Sequence, residues 1–429
     1  MRIRVLNISA QRLRQLWYAP VLALAMGLMM LRMLILARIF NLPEFGAFSA
    51  GLLISGTFCM VGCFGLQPML QREWPMQIVR QTERNGLVRA LQCNLVAIAI
   101  CLVALIFVGS GFIPTDMSFA ITASAILHGL AHQCLLVSTT ESRSRGDVLR
   151  FAQQSLQRSS TALVLSVYVA YLTGSAVLSI LVEAMVALAL SIVFFRQAIL
   201  NSHTHFRVRT LAIVAVRRIR MVSTSSAITL TILMIVNFMS VNADRWMAAA
   251  LLDVGTFAQY GFAWIVLSLA QAAQLLISAA LYPMVARRFA QFGQASAFRL
   301  CLISSISLLG AGSLLVLLLA QVLRYFIELW YPQYIPALVL IPWFLGIAVL
   351  RMSDFWSGFL LVGGHESHLL RINLAATILA LVIWVVIVRP WEGGLITLAD
   401  VGLAPVLLAV LSYGVVVIAS WRALKLVQK

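Results

Sequence analysis

The stretch LARIFNLPEFGAF, residues 36–48, joins two long apolar runs of the chain, 16–37 and 45–70. Each run reaches the roughly 20 apolar residues that an α-helix needs to cross a lipid bilayer. The stretch therefore leaves one predicted transmembrane helix, turns, and enters the next one through a pattern of two aromatic residues separated by two others.

The remainder of the chain has the same apolar character. Of its 429 residues, 62% are hydrophobic and only 10% are charged, and the mean hydropathy is +0.98. A soluble domain carries about 25% charged residues. This composition excludes a globular cytoplasmic enzyme, a secreted protein and a nucleic-acid-binding protein. Hydropathy predicts twelve spans: 16–37, 45–70, 91–112, 118–139, 155–173, 175–195, 224–243, 255–283, 300–322, 337–362, 372–389 and 401–421.

The basic residues sort to one side of these predicted spans. There are 31 basic and 14 acidic residues, a formal net charge of +17. One set of loops holds most of them: 72–89, 143–158, 196–220, 287–299, residue 371 and both ends of the chain. The opposite loops hold only Arg38, Arg245, Arg324 and Arg389. By the positive-inside rule, both termini and the central loop are predicted to be cytoplasmic. Arginines distributed in this way are topology signals, so we expect no nucleic-acid partner.

The opening stretch also has a counterpart in the second half of the chain. Residues 36–48 align with AAALLDVGTFAQY, residues 248–260, and both enter a helix with an aromatic-small-x-aromatic pattern. An even number of spans per half predicts a parallel repeat, related by a pseudo-twofold axis along the membrane normal. The predicted fold is all-α, with twelve transmembrane helices in two six-helix lobes that face a cavity. The predicted domains are an N-terminal lobe at 1–195, a basic cytoplasmic linker at 196–223 and a C-terminal lobe at 224–429.

These motifs carry a resemblance to a known family. The segments ARIFNLPEFGAF (37–48) and QPMLQRE (67–73) resemble the first hairpin and second helix of polysaccharide transporters. Asp244-Arg245, Tyr260, Pro283 and Arg287 resemble their seventh and eighth helices, although Asn41 replaces the glycine usual in the first hairpin. The family comprises the O-antigen and exopolysaccharide flippases (Wzx-type) of the multidrug/oligosaccharidyl-lipid/polysaccharide (MOP) superfamily. The resemblance implies a MATE-like fold in a bacterial inner membrane.

Ionisable residues within spans are costly and therefore become candidate functional sites. Arg32 lies in the first span, where it either snorkels to the outer head groups or binds a phosphate in the cavity. Arg351 and Asp354 lie in the tenth span, where they either pair with each other or line the cavity. We assign Arg32 and Arg351 to a diphosphate, because guanidinium binds phosphate oxygens in a bidentate manner. Glu183 and Asp354 are candidate sites for a coupling H⁺ or Na⁺, and Glu183 has a protonated structural carboxyl as its alternative.

Four amides complete the predicted substrate site: Asn237, Asn242, Gln271 and Gln274. Polar residues also hold transmembrane helices together, and that is the alternative reading of all four. His128 and His132 are spaced like metal ligands, but no third ligand with clear spacing accompanies them. We therefore predict no metal site, no catalytic residue and no cofactor beyond the coupling ion.

Three classes of function compete. The predicted function is a flippase that moves an undecaprenyl-diphosphate-type oligosaccharide from the cytoplasmic to the outer leaflet by alternating access. An ion-coupled, MATE-like multidrug exporter is the second class, but the first span carries an arginine and no acid. The third is a membrane polymerase or ligase, which usually needs a large outer loop that is absent from this sequence. The expected partners are the lipid-linked oligosaccharide, membrane lipids, and a polysaccharide polymerase with its export machinery.

Overall fold

The computed structural model describes residues 2–80, 82–110, 118–202, 208–219, 224–389 and 396–427, and this part of the chain is helical throughout, without strands. The helices are α1 Arg2–Ile39, α2 Leu42–Val61, α3 Leu66–Val79, α4 Glu83–Gly109, α5 Phe119–Ser144, α6 Val148–Thr173, α7 Ala176–Asn201, α8 Val208–Arg217, α9 Thr224–Leu251, α10 Val254–Trp330, α11 Ile341–Met352, α12 Trp356–Val362, α13 Glu366–Val388 and α14 Leu398–Val427. A 3-10 helix, Pro332–Val339, precedes α11.

The helices agree with a multi-pass membrane protein. Within the described ranges, nine helical segments are long and apolar enough to cross a membrane, or ten if the bent α9 counts as one span. Every predicted span coincides with one or more of the helices. Two predicted spans are not among these ten: 155–173, which lies on α6, and 255–283, whose described part contains the shorter apolar helix Val254–Leu269 in α10.

Two predicted spans are interrupted, which is a correction to the prediction of continuous helices. The span 45–70 breaks between α2 and α3, where Gly65 has a φ of +70°. A Cβ atom there would lie 2.2 Å from the carbonyl oxygen of Ala227, so the close approach to α9 requires glycine.

The span 337–362 breaks between α11 and α12. The spans 255–283 and 300–322 lie on two helical segments of α10, which meet at a kink at Gly293, where the backbone is not helical (φ 79°, ψ 178°).

The chain divides into two compact units, Met1–Met239 (unit 1) and Ser240–Lys429 (unit 2). In unit 1, α5 packs on α2, α4 and α7, and α6 packs on α1 and α7. The predicted linker 196–223 contains the helix α8, which packs on α4 through the buried residues Leu211 and Ala215. In unit 2, α10 packs on α11 and α12, and α14 packs on α11 and α13. The six-and-six division of the spans stays a prediction.

The two stretches that align in sequence have the same local structure. Asn41 caps α2, and its side chain accepts a hydrogen bond from the backbone N of Glu44 at 2.9 Å. Asp253, at the equivalent position, caps α10 and accepts from the backbone N of Gly255 and of Thr256, each at 3.0 Å. Asparagine and aspartate are preferred at this position because they satisfy free N–H groups of the first turn. Asn41 and Asp253 therefore cap their helices in the same way.

Candidate functional site

Arg32 and Glu183 form a buried ion pair inside unit 1. Arg32 lies on α1 and Glu183 on α7, and an Nη1 atom of the arginine donates to Oε2 of the carboxylate. The residues are only 4% and 3% exposed, so the Arg32 side chain does not reach the surface of the protein. An arginine buried within a transmembrane helix needs a counter-charge, and here Glu183 supplies it. The structure thus joins the predicted substrate arginine to the predicted ion-coupling carboxylate.

His128 on α5 lies beside this pair. Its Nε2 atom lies 3.6 Å from Glu183 Oε2, and its Nδ1 atom lies 2.7 Å from the hydroxyl of Ser55. In the tautomer that carries its proton on Nε2, that proton is directed at the carboxylate and Nδ1 can accept from the Ser55 hydroxyl. A short chain of polar contacts therefore leads from α2 through α5 to the ion pair.

Arg158 lies in the same region, although its place among the cytoplasmic basic residues, at the start of the predicted span 155–173, gave no sign of this. Arg158 is on α6, and its Nη2 atom lies 2.6 Å from Nδ1 of His132. Because guanidinium only donates, His132 must accept through an unprotonated Nδ1 and is neutral in this contact. Every fourth residue of α6 around Arg158 is buried, namely Gln154, Ala162, Ser166 and Ala170. That spacing is the signal that predicts an inward-facing Arg158.

The charges of this cluster do not balance. Two arginines, Arg32 and Arg158, share one carboxylate, Glu183. Glu183 acts on Arg158 only from beyond ion-pair distance, and no carboxylate in the described residues pairs with Arg158. Ser166 lies beside Glu183. Three buried polar atoms here have no hydrogen bond of normal geometry among the described residues: Ser166 Oγ, Glu183 Oε1 and Arg32 Nε. Unit 1 therefore holds a half-buried cation and unused polar atoms beside it.

Unit 2 has a second charged cluster, around Asp244 on α9. Asp244 is 4% exposed, and the phenol of Tyr260 donates to its Oδ2 atom at 2.6 Å. The positive charges that act on it are those of Arg351 and Arg245. The Arg245 guanidinium also lies over the indole of Trp264, 4.2 Å from the ring centroid. Two arginines again accompany one carboxylate.

Asp354 takes part in a local helix cap, and the hypothesis that it pairs with Arg351 is wrong. Its two carboxylate oxygens accept from the backbone N and the hydroxyl of Ser357, at 3.1 and 2.7 Å. Within the described chain, Arg351 and Asp354 form no ion pair, and the carboxylate that acts on Arg351 is Asp244. The break between α11 and α12 creates free N–H groups, and Asp354 binds one of them.

The four predicted amides are only partly described. Asn242 is buried on α9, two positions before Asp244, and Gln274 is half-buried on α10. The side chains of Asn237 and Gln271 lie outside the described residues. The role of the four amides in substrate binding stays a prediction.

The two histidines face different partners rather than a common centre. The Nδ1 atoms of His128 and His132 contact Ser55 and Arg158, and the ring centroids are 6.3 Å apart. Within the described residues, no group of three or more His, Cys, Asp or Glu side chains is arranged to hold a metal ion. All six cysteines are free and buried.

The sequence repeat relates the two clusters. At the offset that aligns residues 36–48 with 248–260, Arg32 corresponds to Asp244 and Phe48 to Tyr260. Both aromatic residues are fully buried beside their charged residue: the Arg32 guanidinium lies 6.0 Å from the Phe48 ring centroid, and Tyr260 binds Asp244. The two halves thus place opposite charges at equivalent positions.

Neither a protein-family model nor a curated protein sequence matches the chain. Solved structures do match. The lipid II flippase MurJ in an inward closed conformation has a TM-score of 0.63 at 9% identity, over 94% of this chain and 87% of that one. An inward-facing MATE family multidrug resistance transporter of the MOP superfamily has a TM-score of 0.60 at 14% identity, over 96% of each chain. A mutant of the Vibrio cholerae MATE transporter VcmN has 0.54 at 13% identity, over 97% of this chain and 98% of that one. The chain is therefore a multi-pass helical membrane protein with the fold that these MOP superfamily structures share.

Proposed function

We propose that this protein is a flippase that moves a lipid-linked oligosaccharide with an anionic diphosphate head from the cytoplasmic to the outer leaflet. The observation that carries the proposal is the cationic cluster of unit 1, in which the half-buried Arg158 contacts the neutral His132 and pairs with no carboxylate among the described residues. A cation inside the membrane costs several kcal/mol, and an anionic substrate offsets that cost. The MurJ-like fold supports the same class of substrate.

Arg158 is the unit 1 residue best suited to contact the head group. Arg32, the arginine predicted from the sequence, already donates to Glu183 and is more deeply buried. Arg351 is the corresponding candidate in unit 2, because it does not pair with Asp354 and is half-buried. Arginine suits both positions, since its planar fork matches two phosphate oxygens at once.

Glu183 couples an ion to the head group in this proposal. A proton on Glu183 removes the counter-charge of Arg32, so that Arg32 becomes available to a phosphate oxygen. By linkage, proton binding and anion binding then strengthen each other by the same factor. Transport requires two conformations that differ in affinity for the head group or the ion. The proposed setting is a bacterial inner membrane with both termini in the cytoplasm, next to polysaccharide polymerisation and export.

A MATE-like exporter of cationic drugs is the second candidate, and the folds of the MATE structures favour it. Carboxylates at the site favour a cationic substrate and arginines disfavour it, since like charges repel in a medium of low dielectric. The excess in unit 1 is of arginine, and this observation favours the flippase.

Deletion of the gene tests the proposal. A flippase mutant accumulates glycan-loaded lipid carrier on the cytoplasmic side of the membrane, and mass spectrometry of extracted lipids measures this pool. Complementation with the wild-type gene restores the normal pool and surface polysaccharide. Unchanged lipid-linked glycan and surface polysaccharide in the deletion strain, together with a lost resistance to cationic drugs, would select the exporter.

A further inference from the structure

A polar cavity of 360 Å³ lies in unit 1, away from the charged cluster. It is an open pocket lined by residues of α3, α4 and the turn that follows α8. The polar residues of its wall are Glu73, Gln77, Asn85, Arg89, Gln92 and Arg218. Neither the charged cluster nor the proposed transport function uses any of them.

The two arginines of the cavity are only partly engaged. Arg89 donates to Glu73 at 3.4 Å and to Gln92 at 3.2 Å, both long for contacts of a guanidinium. Arg218 is exposed and donates to the side chain of Asn85 at 3.1 Å. Each guanidinium has five N–H donors, so several donors remain for a ligand.

The charge and the amides of the cavity favour an oxyanion. Arg89 and Arg218 against Glu73 leave a formal excess of one positive charge. Gln77 has an Oε1 atom that is buried without a hydrogen bond in the described structure. A rotation of its amide by half a turn presents the Nε2 donor instead, and the two orientations have nearly the same shape.

The cavity also lies where α8, the helix of the predicted linker, packs on α4 within unit 1. Gln92 donates to the carbonyl oxygen of Ala215 on α8 at 3.1 Å, and Arg218 directly follows that helix. A ligand bound by Arg218 on one side and Arg89 on the other would hold α8 against α4. The cavity is thus placed to fix the position of the linker.

We propose that this cavity binds a phosphate oxyanion and that the bound anion stabilises the docking of α8 on α4. Four residues of the cavity, Glu73, Gln77, Asn85 and Arg89, belong to the arginine-rich segment 72–89, which is predicted to face the cytoplasm. Anionic phospholipid head groups are concentrated at that surface, and free phosphate offers the same chemistry. The source is decided by experiment.

The test uses the full-length protein in nanodiscs of phosphatidylcholine, with either phosphatidylglycerol or inorganic phosphate added. The variants are Arg218→Gln and Arg89→Gln. The matched control is Arg217→Gln, which removes an exposed arginine one position away that does not line the cavity. The readouts are the thermal unfolding midpoint and retention of the anion in native mass spectrometry.

We expect an added anion to raise the unfolding midpoint of the wild type and of Arg217→Gln. Arg218→Gln should lose at least half of this rise and retain less anion. A lipid head group is the source if phosphatidylglycerol is retained and inorganic phosphate has no effect; the reverse result identifies free phosphate. Equal responses of Arg218→Gln and Arg217→Gln overturn the proposal, even if Arg89→Gln fails to fold after losing its Glu73 contact. Neither readout depends on glycan transport.

Discussion

At the scale of single residues, the position of Arg158 changes how the unit 1 site is understood. The sequence offers Arg32 as the anion-binding residue, but Arg32 already has Glu183 as its counter-charge. Arg158 has a neutral histidine instead, and it lies on the buried stripe of α6. Among the described residues, the one best able to attract an anion is therefore Arg158, which has no carboxylate at ion-pair distance.

We expect Arg158→Ala to weaken binding of a short-chain polyprenyl diphosphate about tenfold to a hundredfold. The estimate corresponds to a lost hydrogen bond of about 1.5–3 kcal/mol to a charged group. Arg158→Lys should recover only part of the affinity, because lysine lacks the bidentate fork. Isothermal titration calorimetry on purified protein measures both. Gln157→Ala, on the exposed face of α6, is the control, and equal affinities of Arg158→Ala and Gln157→Ala would refute the assignment.

The Arg32–Glu183 pair predicts the sign of a pH effect. A proton on Glu183 frees Arg32 for the anion, so wild-type affinity for the diphosphate should rise as the pH falls. Glu183→Gln imitates the protonated state and should bind more tightly, without this pH dependence, and its transport should not follow the ion gradient. Binding titrations across a pH series measure the effect, with Glu328→Gln, an exposed carboxylate, as the control. An unchanged pH profile in Glu183→Gln would leave Glu183 as a structural counter-ion only.

At the scale of elements, the two caps at equivalent positions define where α2 and α10 begin. Asn41 and Asp253 each bind backbone N–H groups of the following turn. Glu44, in the first of these turns, also accepts from the backbone N of Ala176 at 2.7 Å, which ties the hairpin to the start of α7. The stretch 36–48 is therefore a capped turn between α1 and α2 that also positions the start of α7.

Asp253→Ala should destabilise unit 2 by about 1 kcal/mol, the usual cost of a lost N-cap. Hydrogen bonds from the hydroxyl and backbone of Thr256 hold the pKa of Asp253 below its ordinary value. A lowered pKa means that this stabilisation is present at neutral pH and disappears as the pH falls through the folded-state pKa. Chemical unfolding at neutral and acidic pH measures both effects. Asp253→Asn should retain most of the cap, and a loss as large as that of Asp253→Ala would contradict this account.

Gly65→Ala should disrupt the break between α2 and α3. The new Cβ would meet the carbonyl oxygen of Ala227 at 2.2 Å, in addition to the strain of a positive φ. Gly174→Ala is the matched control, because Gly174 also has a positive φ but open space around it. Backbone strain alone costs roughly 1–2 kcal/mol, so the unfolding free energy of Gly65→Ala should fall clearly further. If Gly65→Ala and Gly174→Ala lower the free energy of unfolding equally, the contact with Ala227 adds nothing to the backbone strain.

At the scale of the whole molecule, the charge sorting predicts a definite topology. Single cysteines at positions 116, 174 and 395, in a background without the six native cysteines, should react with a membrane-impermeant maleimide in intact cells. A cysteine at position 146, in the turn between α5 and α6, should react only after the membrane is opened. If a cysteine at 116, 174 or 395 fails to react in intact cells, the twelve-span topology with cytoplasmic termini is contradicted.

The sequence was sufficient for the class of protein and much of its organisation. Apolar runs and loop charges are local properties, so hydropathy and charge sorting located the helices of a MOP-type fold. The half-chain alignment identified Asn41 and Asp253 as equivalent positions, and both proved to be helix caps. Buried charges within spans are costly wherever the helix packs, which is why Arg32, Glu183 and Arg351 could be singled out.

Only the tertiary structure decided which of these residues meet. Arg32 and Glu183 are 151 positions apart in the chain, and their contact depends on how α1 and α7 pack. Packing also leaves Asp354 in a helix cap at Ser357 instead of paired with Arg351. It likewise places Arg158, which the sequence grouped with the cytoplasmic arginines, in the interior of unit 1 beside His132. The break at Gly65 is likewise set by the approach of α9. Periodicity and hydropathy describe one helix at a time, whereas the partner of a buried charge is fixed by neighbouring helices that are distant in sequence.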